Sequence, residues 1–353
     1  MKYQSPLLSF FLFLALLLSS FHPVWAGRIP TLSDRAKYRP DKLLETSSFG
    51  HSSASSWITL GNYADISEVK KRVVPYSSAR ISKTSRGTRN TAWRHISKIE
   101  KQISSKSVMV MDAETGETLY AKRPDWPRQP ASTIKVLTGM IAIKSLKNND
   151  TVPVSHHAAR MPRSKIYLSP KKRYKANDLI NAVLLASAND ASVALAEKIA
   201  GSEKDFARMM TLRAKLWGAR KTICRTATGL TARGQQSTAR DLASIFRHAM
   251  QDREFARRMH RTKIRTSYGK VLRNHNRALW QVRGAEGGKT GYTAAARQTY
   301  VGKFTRDGES IIVAIMGSET MWPDIKKLVE YGFQQKKLRA RTKTRKTRLA
   351  SQR

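Results

Sequence analysis

Apolar residues recur along the chain with different spacings, and each spacing predicts a different kind of element. A nearly continuous apolar run covers Leu7–Leu18 and follows a lysine, Lys2. Between Ser132 and Phe255 the apolar residues recur at helical spacing, most clearly over 134–142 and 179–186. The middle of the chain is therefore predicted to be mostly helical.

Short strands are predicted on both sides of this helical middle. Ser107–Met111 and Glu117–Ala121 flank a turn at Gly116 and predict a hairpin. Three further strands and a closing helix are predicted over 287–290, 298–304, 310–316 and 324–334. Strands from both ends with helices between them predict an α+β fold, in which one antiparallel sheet is covered by helices and accompanied by a helical lobe.

The composition predicts a folded protein, and the charge predicts anionic partners. Of the 353 residues, 40% are hydrophobic, which is enough for one large core or two small ones and excludes a fibrous or wholly disordered chain. The chain carries 66 Lys and Arg against 25 Asp and Glu, a formal net charge of +41. This charge favours nucleic acid, acidic lipid or cell-wall polyanions, and does not choose among them.

Several conspicuous residues have ordinary structural explanations. Cys224, the one cysteine of the sequence, cannot form an intrachain disulfide or a Cys-rich zinc site, and is predicted to be a small packed residue. The histidines lack the carboxylate–histidine spacing of known zinc sites, so no metal is predicted. Asp190 is predicted to cap a helix. Three tryptophans are predicted to be core or loop anchors rather than platforms for sugars: Trp126, Trp217 and Trp280.

A serine and a lysine at the start of a predicted helix are the first candidates for chemistry. Ser132 and Lys135 are three positions apart, so both side chains emerge on one helix face about one turn apart. An uncharged lysine amine can take the proton of a serine hydroxyl if burial and nearby positive charge lower its pKa. Ser-x-x-Lys also begins at Ser67, Ser169 and Ser267, so the spacing alone does not decide.

Two further motifs follow Ser132 in the chain. The first is Ser187-Ala188-Asn189, and the second is Lys289-Thr290-Gly291. Ser267 follows the first of these motifs, whereas Ser67 and Ser169 precede both. Ser132 differs from these two in its place at the start of a predicted helix, with the first motif 55 positions later and the second another 102 beyond.

In this order the motifs resemble those of the penicillin-recognising serine D,D-peptidases, specifically the low-molecular-mass penicillin-binding proteins of the D-alanyl-D-alanine carboxypeptidase type. The resemblance covers about residues 107–333 and includes 227–230 and 237–243. It implies a β-lactamase/transpeptidase-like fold. It also implies a serine-type D-Ala-D-Ala carboxypeptidase that acts on peptidoglycan stem peptides without a cofactor and is inhibited by β-lactams.

The resemblance also implies catalytic roles for three residues. Ser132 would be the acylated nucleophile, Lys135 its base, and Ser187 the relay that passes a proton to the leaving group. Acyl transfer needs a nucleophile, a base, a path for the proton and donors for the oxyanion, so this set is chemically sufficient together with the donors below.

Substrate-binding roles are implied for four more positions. Asn189 would bind a substrate amide, and Lys289 and Thr290 would draw in the terminal carboxylate of the stem peptide. The backbone N–H groups of Ser132 and Tyr292 would form the oxyanion hole.

The chain departs from the pattern of the family in several places. After Lys289-Thr290-Gly291 the family usually continues toward an Ala-Gly pair, whereas this chain has Ala294-Ala295-Ala296-Arg297, and a carboxylate contact is the one role we suggest for Arg297. Residues 168–172 are strongly basic where the family often has Gly-Glu, at the expected rim of the cleft. The segment 274–276 is either close to the cleft or a turn held by side-chain hydrogen bonds. About 20 residues follow the closing helix, so this short form resembles the soluble D,D-endopeptidases as much as the anchored carboxypeptidases.

Four segments are predicted from these patterns. The apolar run is shorter than the roughly 20 residues that cross a bilayer, and Val24-Trp25-Ala26 follows it. Residues 1–26 are therefore predicted to be a signal peptide for export to the periplasm or beyond. An uncleaved membrane anchor is the alternative. Residues 27–103 are predicted to be a polar, basic, mostly disordered linker. The catalytic domain is predicted over 104–335. Residues 336–353 contain nine basic and no acidic residues and are predicted to be a disordered tail that contacts anionic wall or lipid.

Other functions remain open from the sequence. A D,D-endopeptidase that cleaves peptidoglycan cross-links would use the same residues. A class A β-lactamase would need a Glu-x-x-Leu-Asn stretch between Asn189 and Lys289, which the sequence lacks. A catalytically idle protein that binds polyanions or cell wall would explain the charge, whereas no module for specific nucleic-acid binding is recognisable.

Overall fold

One antiparallel sheet joins strands from both ends of the described chain. A computed structural model of the protein describes residues 99–350, with side chains described up to Thr342. The predicted signal peptide, residues 1–26, and residues 27–98 of the predicted linker lie outside the described residues. The strands, in chain order, are β1 (Ser107–Asp112), β2 (Thr118–Lys122), β3 (Thr151–Val152), β4 (Tyr174–Lys175), β5 (Lys263–Arg265), β6 (Val271–Arg273), β7 (Ala285–Thr293), β8 (Arg297–Arg306) and β9 (Glu309–Ser318).

Helices fill most of the chain between the second and the seventh strand, and a long helix closes the described part. A 3₁₀ helix over Ala131–Ile134 leads into the first α-helix. The α-helices, in chain order, are α1 (Lys135–Ser145), α2 (His156–Arg160), α3 (Ala176–Leu184), α4 (Asn189–Ala200), α5 (Glu203–Leu216), α6 (Ala239–Ala249), α7 (Arg253–His260), α8 (Ala278–Gln281) and α9 (Met321–Ala350).

The strands of the main sheet lie in the order β2-β1-β9-β8-β7, and all neighbours are antiparallel. Successive side chains of a strand point to opposite faces of the sheet, and both faces here are buried. Val108 and Val110 contribute to a core that includes Leu328 of α9, whereas Met109 and Met111 contribute to the core of the helical lobe. The predicted α+β fold, with helices covering an antiparallel sheet and forming a separate lobe, is confirmed.

The first helix runs through the middle of the helical lobe and positions the candidate site. Every residue of α1 from Lys135 to Ala142 is buried, and the helix packs against α3, α4, α5 and α6. Its N-terminus points to β7, the edge strand of the sheet, because the 3₁₀ helix before it packs beside that strand. The residues at the start of α1 therefore lie between the sheet and the lobe.

Two short antiparallel strand pairs are not predicted by the apolar pattern. Strand β3 pairs with β4, and β5 pairs with β6, each over two or three residues. Such short strands give too few alternating positions to stand out from the helical pattern around them. The predicted helical middle is also interrupted between α5 and α6, where the chain from 217 to 238 forms loops.

The N-terminal boundary of the folded domain lies earlier than the predicted residue 104. Ile99 and Ile103 are buried in the core that faces α9. The carboxylate of Asp324, fully buried near the start of α9, accepts hydrogen bonds from the backbone N of Ser104 at 3.0 Å and of Ser105 at 2.9 Å. These contacts tie the first described residues to the last helix.

The closing helix is much longer than the predicted 324–334, which corrects the prediction of a disordered tail from 336 onward. Helix α9 continues to Ala350, and residues 351–353 lie outside the described part. Lys and Arg are strong helix formers, so a basic sequence extends a helix that packing has already started. Lys336 adds an ion pair with Asp112 at 2.9 Å and another with Glu309. Among the described helices, none combines the length and the apolarity needed to cross a membrane.

Candidate active site

The candidate nucleophile Ser132 lies in the 3₁₀ helix before α1, at a backbone position that its neighbours constrain. Ala131 has φ +49°, a left-handed conformation that is uncommon for a residue with a side chain. Gly229, with φ +76°, lies directly against Ala131, since a Cβ at Gly229 would come within 2.0 Å of the Ala131 carbonyl oxygen. Because Gly229 has no side chain, its backbone can lie against Ala131, and this contact supports the backbone just before Ser132.

Lys135 connects Ser132 to two other parts of the chain. Its Nζ lies 2.9 Å from the Oγ of Ser132, 2.7 Å from the Oδ1 of Asn189 and 2.7 Å from the carbonyl oxygen of Thr228. If the amine is neutral, its two N–H groups can serve Asn189 and Thr228, and its lone pair then faces the serine hydroxyl. This arrangement suits a base that accepts the proton of Ser132.

The environment of Lys135 favours the neutral amine. Its side chain is fully buried, and this burial, followed by the positive charge of Lys289, holds the pKa of Lys135 well below its ordinary value. The negative charges of Asp190 and Glu203 oppose the shift and do not reverse it. From the sequence, burial and a nearby positive charge are required to lower the pKa of Lys135. Both conditions are met, because Lys135 is buried and Lys289 supplies the charge.

A second serine and lysine face each other across the same cleft. The Nζ of Lys289 donates to the Oγ of Ser187 at 2.9 Å. It also donates to the carbonyl oxygen of Thr290, the next residue in the chain, at 3.0 Å. Lys289 and Ser187 are both buried, and burial lowers the pKa of Lys289 to about 7. Ser187 itself has φ +57°, in the left-handed region, between α3 and α4.

Asn189 has contacts on two sides, to the catalytic candidates and to a loop. Its Oδ1 accepts from Lys135, and its Nδ2 donates to the carbonyl oxygens of Pro162 at 3.0 Å and Arg163 at 3.1 Å. The side chain is 2% exposed, so all of these bonds are shielded from water. The second motif thus holds the segment near 163 against the cleft.

The prediction that Asp190 caps a helix is wrong in its detail. Ala188 is the N-cap of α4, without a side-chain hydrogen bond, and Asp190 lies in the first turn. Its carboxylate is fully buried and accepts from the backbone N of Ile166 and of Leu168, each at 3.1 Å. Asp190 therefore fixes the loop 163–168, which forms the rim next to Asn189.

Strand β7 brings the third motif beside Ser132. A Cβ at Gly291 would lie 2.7 Å from the backbone N of Ser132 and 2.5 Å from the Oγ1 of Thr299, so a residue with a side chain does not fit there. Thr290 is half-buried, whereas the side chain of Tyr292 is 62% exposed. The backbone of the edge strand at 291–292 therefore passes directly beside the amide of Ser132.

The structure thus forms two hydrogen-bonded sets, Ser132 with Lys135 and Asn189, and Ser187 with Lys289, and the second set is close enough for the charge of Lys289 to act on Lys135. Sequence reasoning missed the carbonyl of Thr228 and the loop anchor Asp190. The signal for Thr228 was present, because the segment 227–230 was recognised as family-like; its role follows only from the fold. Nothing in the local sequence indicated that Asp190 would bond to residues more than twenty positions earlier.

The segment 274–276 is both a turn held by side chains and part of the cleft wall. The Oδ1 of Asn274 accepts from the backbone N of Asn276 at 2.9 Å. The backbone N of His275 donates to the carbonyl oxygen of Leu185, two residues before Ser187, at 3.0 Å. Burial of the imidazole, followed by the charges of Lys289 and Lys135, lowers the pKa of His275 to about 4, so this ring is neutral at pH 7.

Two other candidate residues have surroundings outside these contacts. Arg297 forms an exposed ion pair with Glu319 at 2.8 Å, so it does contact a carboxylate, one of the protein itself. Cys224 is 3% exposed, and burial raises the pKa of its thiol to about 12, which makes it a poor nucleophile. Within the described residues, no three His, Cys, Asp or Glu side chains lie close enough to hold a metal ion.

Comparison with known proteins identifies the family. A family model described as D-alanyl-D-alanine carboxypeptidase, peptidase S11, matches residues 94–320. The chain belongs to the D-alanyl-D-alanine carboxypeptidase family. The match covers all three motifs and the segment 227–230, so the resemblance predicted from the sequence is confirmed.

Relatives of this family differ in how much of their length the chain spans. The D-alanyl-D-alanine carboxypeptidase DacF of Bacillus subtilis is 30% identical over 249 residues, which are 65% of this chain and 62% of DacF. The chain therefore spans less than two thirds of that relative. The crystal structure of a D-alanyl-D-alanine carboxypeptidase from Mycobacterium tuberculosis H37Rv is 32% identical with a TM-score of 0.62, over 65% of this chain and 91% of that one.

A further similar structure contains a β-lactam. Penicillin-Binding Protein D2 of Listeria monocytogenes, solved in the ampicillin-bound form, is 27% identical with a TM-score of 0.60, over 65% of this chain and 98% of that chain. The similarity to this member of the D-alanyl-D-alanine carboxypeptidase family therefore covers nearly the whole of that chain.

Proposed function

We propose that this protein is an exported serine-type D-Ala-D-Ala carboxypeptidase that acts on peptidoglycan stem peptides through an acyl-enzyme. The observation that carries the proposal is the 2.9 Å contact between the Nζ of Lys135 and the Oγ of Ser132, with Lys135 fully buried and its pKa lowered. Membership of the D-alanyl-D-alanine carboxypeptidase family supports the choice of substrate.

In the first step Ser132 attacks the carbonyl carbon of the bond between the two terminal D-alanines. Its Oγ forms the new C–O bond while the neutral amine of Lys135 accepts the hydroxyl proton. The negative charge that develops on the carbonyl oxygen is stabilised by the backbone N–H groups of Ser132 and Tyr292. The close passage of Gly291 beside Ser132 supports this pairing of donors.

Collapse of the tetrahedral intermediate needs a proton on the leaving amine. We assign this transfer to Ser187, whose hydroxyl gives its proton to the D-alanine nitrogen and takes over the proton that Lys135 accepted from Ser132, so the C–N bond breaks and Lys135 is neutral again. Water then hydrolyses the acyl-enzyme, with Lys135 as base again, and releases the shortened stem. Each base-catalysed step is typically worth about 10²- to 10⁴-fold in rate, so loss of Lys135 is expected to remove most of the activity.

Three residues are proposed to bind the substrate. Asn189 holds an amide of the stem, since its side chain borders the cleft and is itself held in place by the loop at 163. Lys289 and Thr290 bind the terminal carboxylate, because in a dry cleft a charge-assisted hydrogen bond to an ammonium group is about twice as strong as a neutral one. The buried position of Lys289 supports this role.

The same cleft is proposed to react with β-lactams. A strained lactam carbonyl would be attacked by Ser132 in place of the peptide carbonyl, giving a covalent adduct that hydrolyses slowly. The ampicillin-bound form of the Listeria relative supports this proposal.

Export and contact with the cell wall belong to the proposal as well. The predicted signal peptide, residues 1–26, would direct the protein to the periplasm or outside the cell, where its substrate lies. The net charge of +41 would favour anionic wall or lipid, and the basic residues from Lys336 onward would take part in this contact.

Turnover of a short peptide tests the proposed function. The purified protein is incubated with diacetyl-L-Lys-D-Ala-D-Ala, and the release of D-alanine is measured. We expect release by the wild type and by Ser169→Ala, which removes the serine of another Ser-x-x-Lys sequence, and no release by Ser132→Ala. An inactive wild type, or an active Ser132→Ala, would contradict the proposal.

Mass analysis of digested muropeptides then separates the two peptidase activities. Loss of one alanine from pentapeptide stems is the result expected of a carboxypeptidase. Conversion of cross-linked dimers to monomers without that loss would show an endopeptidase instead.

A further inference from the structure

An open cavity of about 480 Å³ lies next to the segment 274–276 and is separate from the linked catalytic side chains. Its lining residues come from the β5–β6 hairpin and from α8: Thr262, Lys263, Arg273, Asn274 and Trp280. Two cations, one indole and two neutral polar side chains therefore surround the same space. None of them has a role in the proposed catalytic reaction.

The two cations of this cavity face each other without an acidic partner. Lys263 in β5 pairs directly with Arg273 in β6, so both side chains leave the hairpin on the same face. Like charges directly opposite each other on neighbouring strands are destabilising. Within the described part of the chain, no ion pair includes either residue.

The sequence around the hairpin makes this imbalance larger. From Arg253 to Arg283 the chain contains ten Lys and Arg residues and a single acidic residue, Glu254. That carboxylate is used on α7, where it pairs with Arg257 and, at 2.7 Å, with Arg258. Asp178 reaches the loop between β5 and β6 through Ser267, but among the described residues it forms no ion pair with Lys263 or Arg273, so a bound anion would lower the energy of these two cations.

Trp280 adds an exposed aromatic surface to this charge. The prediction that it is a core or loop anchor does not fit its exposure, because 56% of the side chain faces solvent. An indole is a large, rigid and mostly apolar surface, and here it borders the same cavity as two cations.

The cavity is connected to the catalytic cleft through one short segment. Asn274 lines the cavity, and the next residue, His275, is bonded through its backbone N to Leu185 near the second motif. The charge of Lys289 also acts on His275, so this residue lies near the cleft as well as next to a residue of the cavity.

We propose that this cavity binds an acidic saccharide, with a sugar ring against the indole of Trp280 and a carboxylate or phosphate between Lys263 and Arg273. Arg binds either anion through two parallel N–H donors, and Lys adds a point charge. The inference rests on the proposed function, because the glycan of the cell wall carries the stem peptides that the cleft would process. The cavity then holds the polymer while a stem enters the cleft.

Binding of defined saccharides to the full chain tests this inference by calorimetry. The probes are the disaccharide GlcNAc–MurNAc bearing a tetrapeptide, which supplies carboxylates, and an oligomer of glycerol phosphate carrying sugars, which supplies phosphates. An uncharged GlcNAc tetramer and a single-stranded DNA oligonucleotide serve as comparison ligands. The tighter of the two acidic probes identifies the source of the anion.

Two variants remove the cavity chemistry, and two matched variants remove the same groups elsewhere. Trp280→Ala is compared with Trp126→Ala, since Trp126 is 55% exposed on another part of the fold. The double variant Lys263→Gln/Arg273→Gln is compared with Lys215→Gln/Arg220→Gln, which loses the same charge from exposed positions. Thermal unfolding of each variant reports whether it is folded.

We expect the wild type to bind at least one acidic probe more tightly than the uncharged tetramer and the DNA. Each cavity variant should weaken that binding at least tenfold, and each matched variant less than twofold. Equal losses in matched and cavity variants, tighter binding of DNA, or no binding of either acidic probe would overturn the inference. Binding is measured without turnover, so a failure of D-alanine release would count against the proposed function alone.

Discussion

The Nζ of Lys289 lies 2.9 Å from the Oγ of Ser187, and both side chains are buried, although 102 positions separate them in the chain. A second pair, Lys135 and Ser132, has the same separation between amine and hydroxyl, 2.9 Å. The charge of Lys289 also helps to lower the pKa of Lys135. The residue proposed to bind the substrate carboxylate therefore also keeps the proposed base uncharged.

The affinity for a carboxylate substrate should depend on pH through Lys289. Burial lowers the pKa of this amine to about 7, so its positive charge is present below pH 7 and is lost above it. We expect KM for the D-Ala-D-Ala peptide to rise as the pH increases from 6 to 9. In Lys289→Arg the guanidinium stays charged over this range, so KM should change little. A wild-type KM that is constant from pH 6 to 9 would contradict this assignment.

The same lowered pKa should be visible in the stability of the protein. Between about pH 7 and the ordinary pKa of lysine, the unfolded chain binds a proton at Lys289 that the folded protein does not bind. The free energy of unfolding therefore rises with pH in this window, by at most about 1.4 kcal/mol per pH unit from this residue. Urea unfolding at pH 7 and pH 9 should show a smaller rise in Lys289→Met than in the wild type. Equal rises would mean that Lys289 has an ordinary pKa.

Gly229 should matter for the position of Ser132 and not only for the flexibility of its loop. Gly229→Ala places a methyl group 2.0 Å from the carbonyl oxygen of Ala131, so the backbone before Ser132 must move. We expect acylation by a fluorescent penicillin to slow by about 10²-fold, since small misplacements of reacting groups have effects of this size.

Gly218→Ala is the matched control for this change. Gly218 has a similar left-handed φ of +79°, and a Cβ there meets no atom within 4 Å. The two variants share the cost of the left-handed backbone, about 1–2 kcal/mol, whereas only Gly229→Ala disturbs Ala131. Equal acylation rates in the two variants would show that the contact with Ala131 is unimportant.

Asp190 should hold the cleft rim in place through its Oδ2, which accepts from the backbone N of both Ile166 and Leu168. In Asp190→Asn an N–H group faces the backbone donors of Ile166 and Leu168, and a buried donor loses its acceptor. We expect faster hydrogen exchange at these two amides and acylation about tenfold slower. Asp205→Asn, a change at the surface start of α5, should leave both measurements near wild type. Unchanged exchange at 166 and 168 in Asp190→Asn would contradict this role.

Much of the sheet could be predicted from the sequence because its strands are apolar on both faces. The runs in β1, β8 and β9 stand out as short apolar segments bounded by turn residues, and the pair Asp307-Gly308 lies in the turn between the last two strands. The hairpin of β5 and β6 could not be predicted in the same way. It has three residues per strand and one buried position in β6, so it leaves almost no pattern.

The motifs of the candidate site were recognisable, but its supporting contacts were not. Ser132 and Lys135 are close in sequence, so their contact follows from helix geometry. The acceptor at Thr228 and the position of Gly229 against Ala131 depend on a loop some ninety residues away, and sequence spacing contains no information on such a contact. The length of α9 does not follow from its composition, because a basic run without apolar residues is typical of disorder, whereas Lys and Arg also favour a helix that packing has already started.

The central claim is that Ser132 is acylated, and intact-mass analysis of the protein after incubation with benzylpenicillin tests it most directly. We predict one added penicilloyl group on the wild type, located by peptide mapping on the peptide that contains Ser132, and no addition to Ser132→Ala. Ser169→Ala should be modified as the wild type is. An unmodified wild type, or an adduct that persists in Ser132→Ala, would contradict the claim.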